Sequence, residues 1–278
     1  MELRHVVAAT DRSAAGHHAV LVAARLAEHA GARLTVLQVR PALAPSGAPS
    51  GETTTDAEHQ TLLRDLSRSL DAELVRLASH TKPAFTVMSG VPGIEIPRYA
   101  EEHGGDLLVL GRERRTQRQR MFLGDTADAV ARRSRVPCLF VGVDSDELGP
   151  MLVCVDGTER SLEVYQTAMD FSRAAGIGAT AVTVEPVWLN EPEHLAATLP
   201  ASRTLRLNRT LDRGPNPSDL RIRRGHVLSE LLAEAVDTGA RLMALGYRRG
   251  GPPGIVEGGS VARGLLHSAL CAVLTVPL

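Results

Sequence analysis

The sequence predicts an α/β protein built from two doubly wound open sheets, each mainly parallel and five-stranded with helices on both faces. Three observations predict this. The second half of the chain repeats the first, short apolar runs alternate with segments of helical periodicity, and those runs are near-continuous, as in strands covered on both faces. A length of 278 residues also suits two domains of roughly 100–150 residues better than one core.

The repeat sets the domain count. Asp11, Gly31, Thr35, Val39 and Pro41 recur 145 residues later as Asp156, Gly176, Thr180, Val184 and Pro186. Gly90, Glu95, Ala100, Gly104, Gly111, Arg114, Gly124, Ala127 and Val141 recur 135 residues later as Gly225, Glu230, Ala235, Gly239, Gly246, Arg249, Gly259, Ala262 and Val276. The second copy is therefore ten residues shorter between the two sets. Residues 1–142 form the first predicted domain, 143–149 a charge-bearing linker and 150–278 the second domain.

In the first copy, residues 5–10 read as a buried strand, and Ala19, Val22, Leu26 and Ala30 as a helical stripe that Gly31 ends. Residues 34–39 are the second strand. A Pro/Gly/Ser/Thr-rich loop over 41–55 precedes a helix marked by Leu63, Leu66, Leu70 and Leu74. Strand 85–88 leads to helix 94–103, with Pro97 expected in its first turn. Strand 106–110, helix 126–133 and strand 136–141 complete the unit. The second copy repeats this as 151–155, 161–175, 180–184, 220–223, 227–236, 241–245, 261–269 and 272–276, with an irregular stretch over 185–219.

Composition narrows the function. With 44% hydrophobic and 23% charged residues and no apolar run of about 18, the chain reads as a soluble protein with no membrane partner. Its start lacks the basic, apolar, small-residue order of a secretory signal, so a cytoplasmic location is expected. A net charge of −1 gives no reason to expect nucleic acid as a partner. Cys138, Cys154 and Cys271 lie in apolar segments and read as buried thiols. Lys82 is the only lysine, which excludes a phosphate loop of the Gly-Lys-Ser/Thr type; backbone amides, hydroxyls or arginines must hold any phosphate. The histidines show no ligand spacing, and no nucleophile stands with a base, so no metal site and no catalytic residues are assigned.

In an open parallel sheet, ligands bind beyond the carboxyl ends of the strands where the strand order reverses. Asp11 and Asp156 follow the first strands, Val39 and Val184 end the second, and Gly111 and Gly246 end the fourth. Each fourth strand then runs through a glycine-bearing loop into a helix start, Gly124-Asp125-Thr126 or Gly259-Ser260-Val261, where free amides favour an anion. Plainer roles compete at each position: an aspartate after a strand is commonly a helix cap, and a strand-end glycine commonly serves a turn. The cluster Arg112, Arg114, Arg115, Arg118 and Arg120 reads either as a solvated basic loop or as a site for phosphate or an acidic partner.

These motifs resemble the universal stress protein family. Its nucleotide-binding members carry Gly, two residues, Gly, nine residues, Gly-Ser/Thr after the fourth strand. Gly246, Arg249, Gly259 and Ser260 hold that spacing with arginine in place of the second glycine, and Val155-Asp156-Gly157-Thr158 resembles the family's first-strand ending. Gly111, Arg114, Gly124 and Asp125 hold it in the first copy, with aspartate at the hydroxyl position.

The resemblance implies an adenine nucleotide alpha hydrolase-like fold, with the two domains arranged as an internal pseudo-dimer through their fifth strands, in a monomer or homodimer. It also implies an adenine nucleotide ligand, ATP or ADP with or without Mg2+, chiefly in the second domain. There Asp156 would meet the nucleoside, Val184 the adenine, and Gly246, Arg248, Arg249, Gly259, Ser260 and Val261 the ribose and phosphates. A weaker site in the first domain would use Asp11, Val39, Gly111, Arg114, Gly124 and Thr126, with the Asp125 carboxylate opposing phosphate. Three functions compete: a stress-response protein acting by nucleotide-dependent conformation or partner binding, a nucleotide-free scaffold for an unidentified protein partner, and a slow ATPase.

Overall fold

The computed structural model describes residues 2–40, 60–68, 82–112, 125–143, 145, 147–186, 220–248 and 260–278. The chain divides into two compact units, residues 3–143 and 144–278. In the first, β1 (His5–Ala9), α1 (Ala14–Ala30), β2 (Arg33–Arg40) and β3 (Ala84–Ser89) precede α2 (Pro92–Glu102), β4 (Leu107–Gly111), α3 (Asp125–Arg133) and β5 (Cys138–Val141). Residues 60–68 are also helical, with Leu66 buried; Leu70, Leu74 and the whole 41–55 loop lie outside the described residues. In the second unit, β6 (Met151–Cys154), α4 (Glu159–Ala175), β7 (Ala179–Pro186) and β8 (Leu220–Gly225) precede α5 (Val227–Asp237), β9 (Leu242–Tyr247), α6 (Ser260–Ser268) and β10 (Ala272–Pro277).

Every described strand pair within a unit is parallel. The first sheet has the order β3-β2-β1-β4-β5 and the second β8-β7-β6-β9-β10. The order reverses between β1 and β4, and again between β6 and β9. Buried aliphatic runs such as Val6-Val7-Ala8 and Leu107-Leu108-Val109 make the strands hydrophobic on both faces, so each needs a helical cover on either side.

The helix ends follow from local chemistry. Gly31 and Gly176 terminate α1 and α4 in the left-handed conformation, with φ of 64° and 66°, returning amides to the last carbonyls. Helix α2 starts earlier than its apolar pattern predicts, because Pro92 occupies the first helical position with its φ already set. Pro97 consequently sits inside the helix rather than in its first turn.

The two units differ in how their helices pack. Ala15, Gly16, Ala19, Ala23 and Ala27 give α1 a buried face of small residues, which lets its first turn press on β4. A β-carbon on Gly111 would fall within the Ala15 peptide and 2.5 Å from the Gly16 nitrogen. Helix α4 instead buries Val164 and Phe171. At the equivalent Gly246, a β-carbon would meet only side-chain ends, Leu278 Cδ1 at 2.5 Å and Val164 Cγ2 at 2.9 Å. A second contrast lies where α2 meets α3 and α5 meets α6. Gly93 faces Ala129, whose methyl would lie 2.6 Å from an added β-carbon; the matching pair in the second unit is Leu228 and Gly264, with the small residue on the other helix.

Polar pairs also diverge at matched positions. In the first unit, Thr86 on β3 meets Tyr99 on α2, hydroxyl to hydroxyl at 3.3 Å. In the second, Arg221 on β8 faces Glu234 on α5 at 3.3 Å, and Arg223 Nε donates to the same carboxylate at 2.5 Å. Arg223 also pairs with Asp237 and, at 3.5 Å, with Glu230. Glu234 is only 3% exposed, and these two arginines are the cations that face its carboxylate.

Candidate functional site

The turn after each first strand is built the same way. Asp11 Oδ1 accepts from the Ser13 amide at 2.9 Å, and the Ser13 hydroxyl in turn accepts from Gly16 N at 3.0 Å. In the second unit Asp156 Oδ1 accepts from Thr158 N at 3.0 Å and from the Thr158 hydroxyl at 2.7 Å, while Thr158 Oγ1 accepts from Ser161 N at 3.3 Å. The helix caps are thus Ser13 and Thr158, not the aspartates as the simpler sequence reading has it. The aspartates shape the turn outside the cap and remain exposed.

Between aspartate and cap, both units adopt left-handed backbone, at φ 68° for Arg12 and 77° for Gly157. Glycine takes that conformation freely, whereas an arginine there is strained by about 1–2 kcal/mol. The second turn reaches the same shape without that strain.

Val39 and Val184 lie beyond the ends of the neighbouring central strands. Ladder bonding stops with Thr10 N donating to Leu37 O, and with Val155 N donating to Val182 O, both at 2.9 Å. Backbone groups of alternate residues face the same neighbour in a parallel sheet. Two residues further on, the N–H and C=O of Val39 and Val184 therefore face the space over β1 and β6, while their side chains are buried. Across the reversal, Gly111 ends β4 and Gly246 is the penultimate residue of β9. Thr126 lies in the first turn of α3, and Ser260 and Val261 open α6. Arg248 is exposed just past β9. Arg114, Arg249, Gly124 and Gly259 lie outside the described residues.

Three features were not legible in the sequence. Arg112 is buried, with its amide donating to Val141 O at 2.7 Å, and is not part of a solvated basic loop. Cys154 and Cys271 are half-buried, unlike the buried Cys138. Although the residue as a whole is only half-buried, desolvation at its sulfur pushes the Cys154 thiol up to about 12, aided by Cys271, which keeps it protonated and a poor nucleophile at neutral pH. Among the described residues no cluster of three or more His, Cys, Asp or Glu side chains has the geometry to hold a metal ion.

The opposite end of the first sheet holds a polar clasp. Asp106 Oδ2 accepts from the amides of Arg4 and His5, both at 2.9 Å. The buried His5 ring has Nδ1 3.2 Å from His103 O and Nε2 2.9 Å from Thr35 Oγ1. A carbonyl only accepts, so Nδ1 carries the proton and Nε2 accepts from threonine. Burial, then the Arg33 charge, lowers the His5 pKa below its ordinary value.

Two stretches, residues 2–142 and 148–277, match the family model described as the universal stress protein family. The chain belongs to the universal stress protein family. Solved structures agree at the level of fold. A universal stress protein from Archaeoglobus fulgidus superposes with a TM-score of 0.71 at 14% identity, covering 100% of this chain and 99% of that one. A putative universal stress protein from Pseudomonas aeruginosa UCBPP-PA14 gives 0.68 at 15% identity, with 99% and 93% covered. A functionally unknown protein from Pseudomonas aeruginosa PAO1 gives 0.70 at 15% identity, with 99% and 92% covered. No curated protein matches the sequence. Among the described residues of this universal stress protein, no helix is long and apolar enough to cross a membrane.

Proposed function

We propose that this universal stress protein binds an adenine nucleotide, ATP or ADP with or without Mg2+, chiefly in its second unit, and acts through the resulting conformation or choice of protein partner. The observation that carries this reading is the pairing of two features over the end of β6. The Asp156 turn is shaped by an unstrained Gly157, and the Val184 peptide groups face the same space with one donor and one acceptor. Adenine presents a complementary acceptor and donor on one edge. The amides opening α6, with Ser260, would then take phosphate oxygens, since a helix start favours negative charge.

The first unit is the poorer candidate. Its turn carries the strained Arg12, and Asp125 opens α3 where the second unit has Ser260. The scaffold reading is favoured by the close seating of α1 on Gly111, which accounts for that glycine by packing alone.

The test is titration calorimetry of ligand-stripped protein with ATP and Mg2+, on wild type, Asp156→Ala and Ser260→Asp. One site per chain, lost in both variants, is the expected result. No heat with the wild type, and no nucleotide in the purified protein, would overturn nucleotide binding and leave the scaffold.

A further inference from the structure

The duplicated units present a folding hazard, since two helices of equal length at equivalent places in the repeat must each find the right sheet. Helix α2 and helix α5 occupy equivalent places in the repeat, and each touches both the edge strand of its unit and the last helix. At both of those contacts the two units use opposite chemistry. Toward the edge strand, α2 offers the Tyr99 hydroxyl to Thr86, whereas α5 offers the buried Glu234 carboxylate to Arg221 and Arg223. Toward the last helix, α2 offers Gly93 to Ala129, whereas α5 offers Leu228 to Gly264.

We propose that these two matched differences act together as an address that holds α2 to the first unit and α5 to the second while the chain folds. The exchanged pairing fails at both contacts. Seated on the first unit, α5 would set Glu234 against Thr86 and Met88, neither of which carries a positive charge, and would drive Leu228 into Ala129. Seated on the second, α2 would put Gly93 over Gly264 and leave a void. A buried carboxylate stripped of its partners is alone disfavoured on the order of a hundredfold or more. The correct pairing gains little by comparison, because a buried ion pair is often no more stable than an apolar replacement. Discrimination, more than stability, is what the arrangement supplies.

The experiment is refolding of the full chain from denaturant across a range of protein concentrations, with oligomers quantified by light scattering after gel filtration. The triple variant Arg221→Thr, Arg223→Met, Glu234→Tyr gives the second unit the residues of the first. It is expected to match the wild type in equilibrium stability, yet to yield several-fold more exchanged oligomer on refolding. The charge-exchanged variant Arg223→Glu, Glu234→Arg keeps the mismatch with the first unit and separates address from stability. It is expected to refold with the wild-type yield of monomeric units even where its stability falls. Wild-type refolding by the triple variant would overturn the proposal, as would exchanged oligomer in the charge-exchanged variant at the level of the triple variant.

Discussion

The matched glycines Gly111 and Gly246 offer a controlled comparison, because both lie at the carboxyl end of the fourth strand of their sheets and only one is closed in by backbone. In Gly111→Ala the new methyl falls within the Ala15 peptide and 2.5 Å from Gly16 N, so the whole first turn of α1 must move. Overpacking of this kind costs about 1–3 kcal/mol, and backbone cannot rotate away as a side chain can, which places the clash near the upper end. Alanine returns about 0.5–1 kcal/mol through the lower entropy of the unfolded chain, leaving a net loss of about 2 kcal/mol.

In Gly246→Ala the methyl meets the ends of Leu278 and Val164, which can change rotamer, so the two contributions nearly cancel. Because a chain of two units need not unfold in one step, the assay is hydrogen exchange followed by mass spectrometry on peptides covering β1 and β6. The most protected amides of the first unit should exchange about thirtyfold faster in Gly111→Ala, whereas Gly246→Ala should leave those of the second within about threefold of wild type. Equal acceleration in the two variants would refute the packing argument and return both glycines to a shared role.

Two further outcomes follow from the same geometry. Arg12→Gly removes the left-handed strain and should stabilise the first unit by about 0.5–1 kcal/mol, read as slower exchange of the β1 amides, while Gly157→Arg should destabilise the second. His5 gives a pH dependence of definite sign: its folded pKa is lowered, so below about 6.5 the unfolded chain takes up the proton first. Stability of the first unit should therefore fall as the pH drops from about 6.5 to the folded-state pKa and then level off, and urea titrations of His5→Gln should lack that part of the slope.

The fold was legible because it rests on signals that recur in each copy. Apolar runs define the central strands, Gly31 and Gly176 mark the helix ends, and the constant spacings bring Asp156, Val184 and Gly246 to one end of one sheet. Contacts between distant elements left no comparable trace. Sequence spacing does not tell that Thr35 and His103 converge on His5, or that Arg221 and Arg223 reach a carboxylate on the following helix. At the turns the difficulty was one of register: Asp11 and Ser13 are both good caps, and only the backbone path decides that serine takes the role. Pro92 and Pro97 pose the same ambiguity, resolved by which of them the helix starts on.

The exchange of volume between Gly93·Ala129 and Leu228·Gly264 bears on heredity as well as on packing. While two repeated segments are still closely alike, recombination between them can copy part of one into the other. A crossover falling between the codons for Gly93 and Ala129, or between those for Leu228 and Gly264, would join a helix to a neighbour of the wrong size. One that falls between whole units would keep each pair intact. The pairs therefore partition the gene into blocks that can be inherited together but not mixed, and divergence of the two halves, once begun at these positions, is protected from being erased.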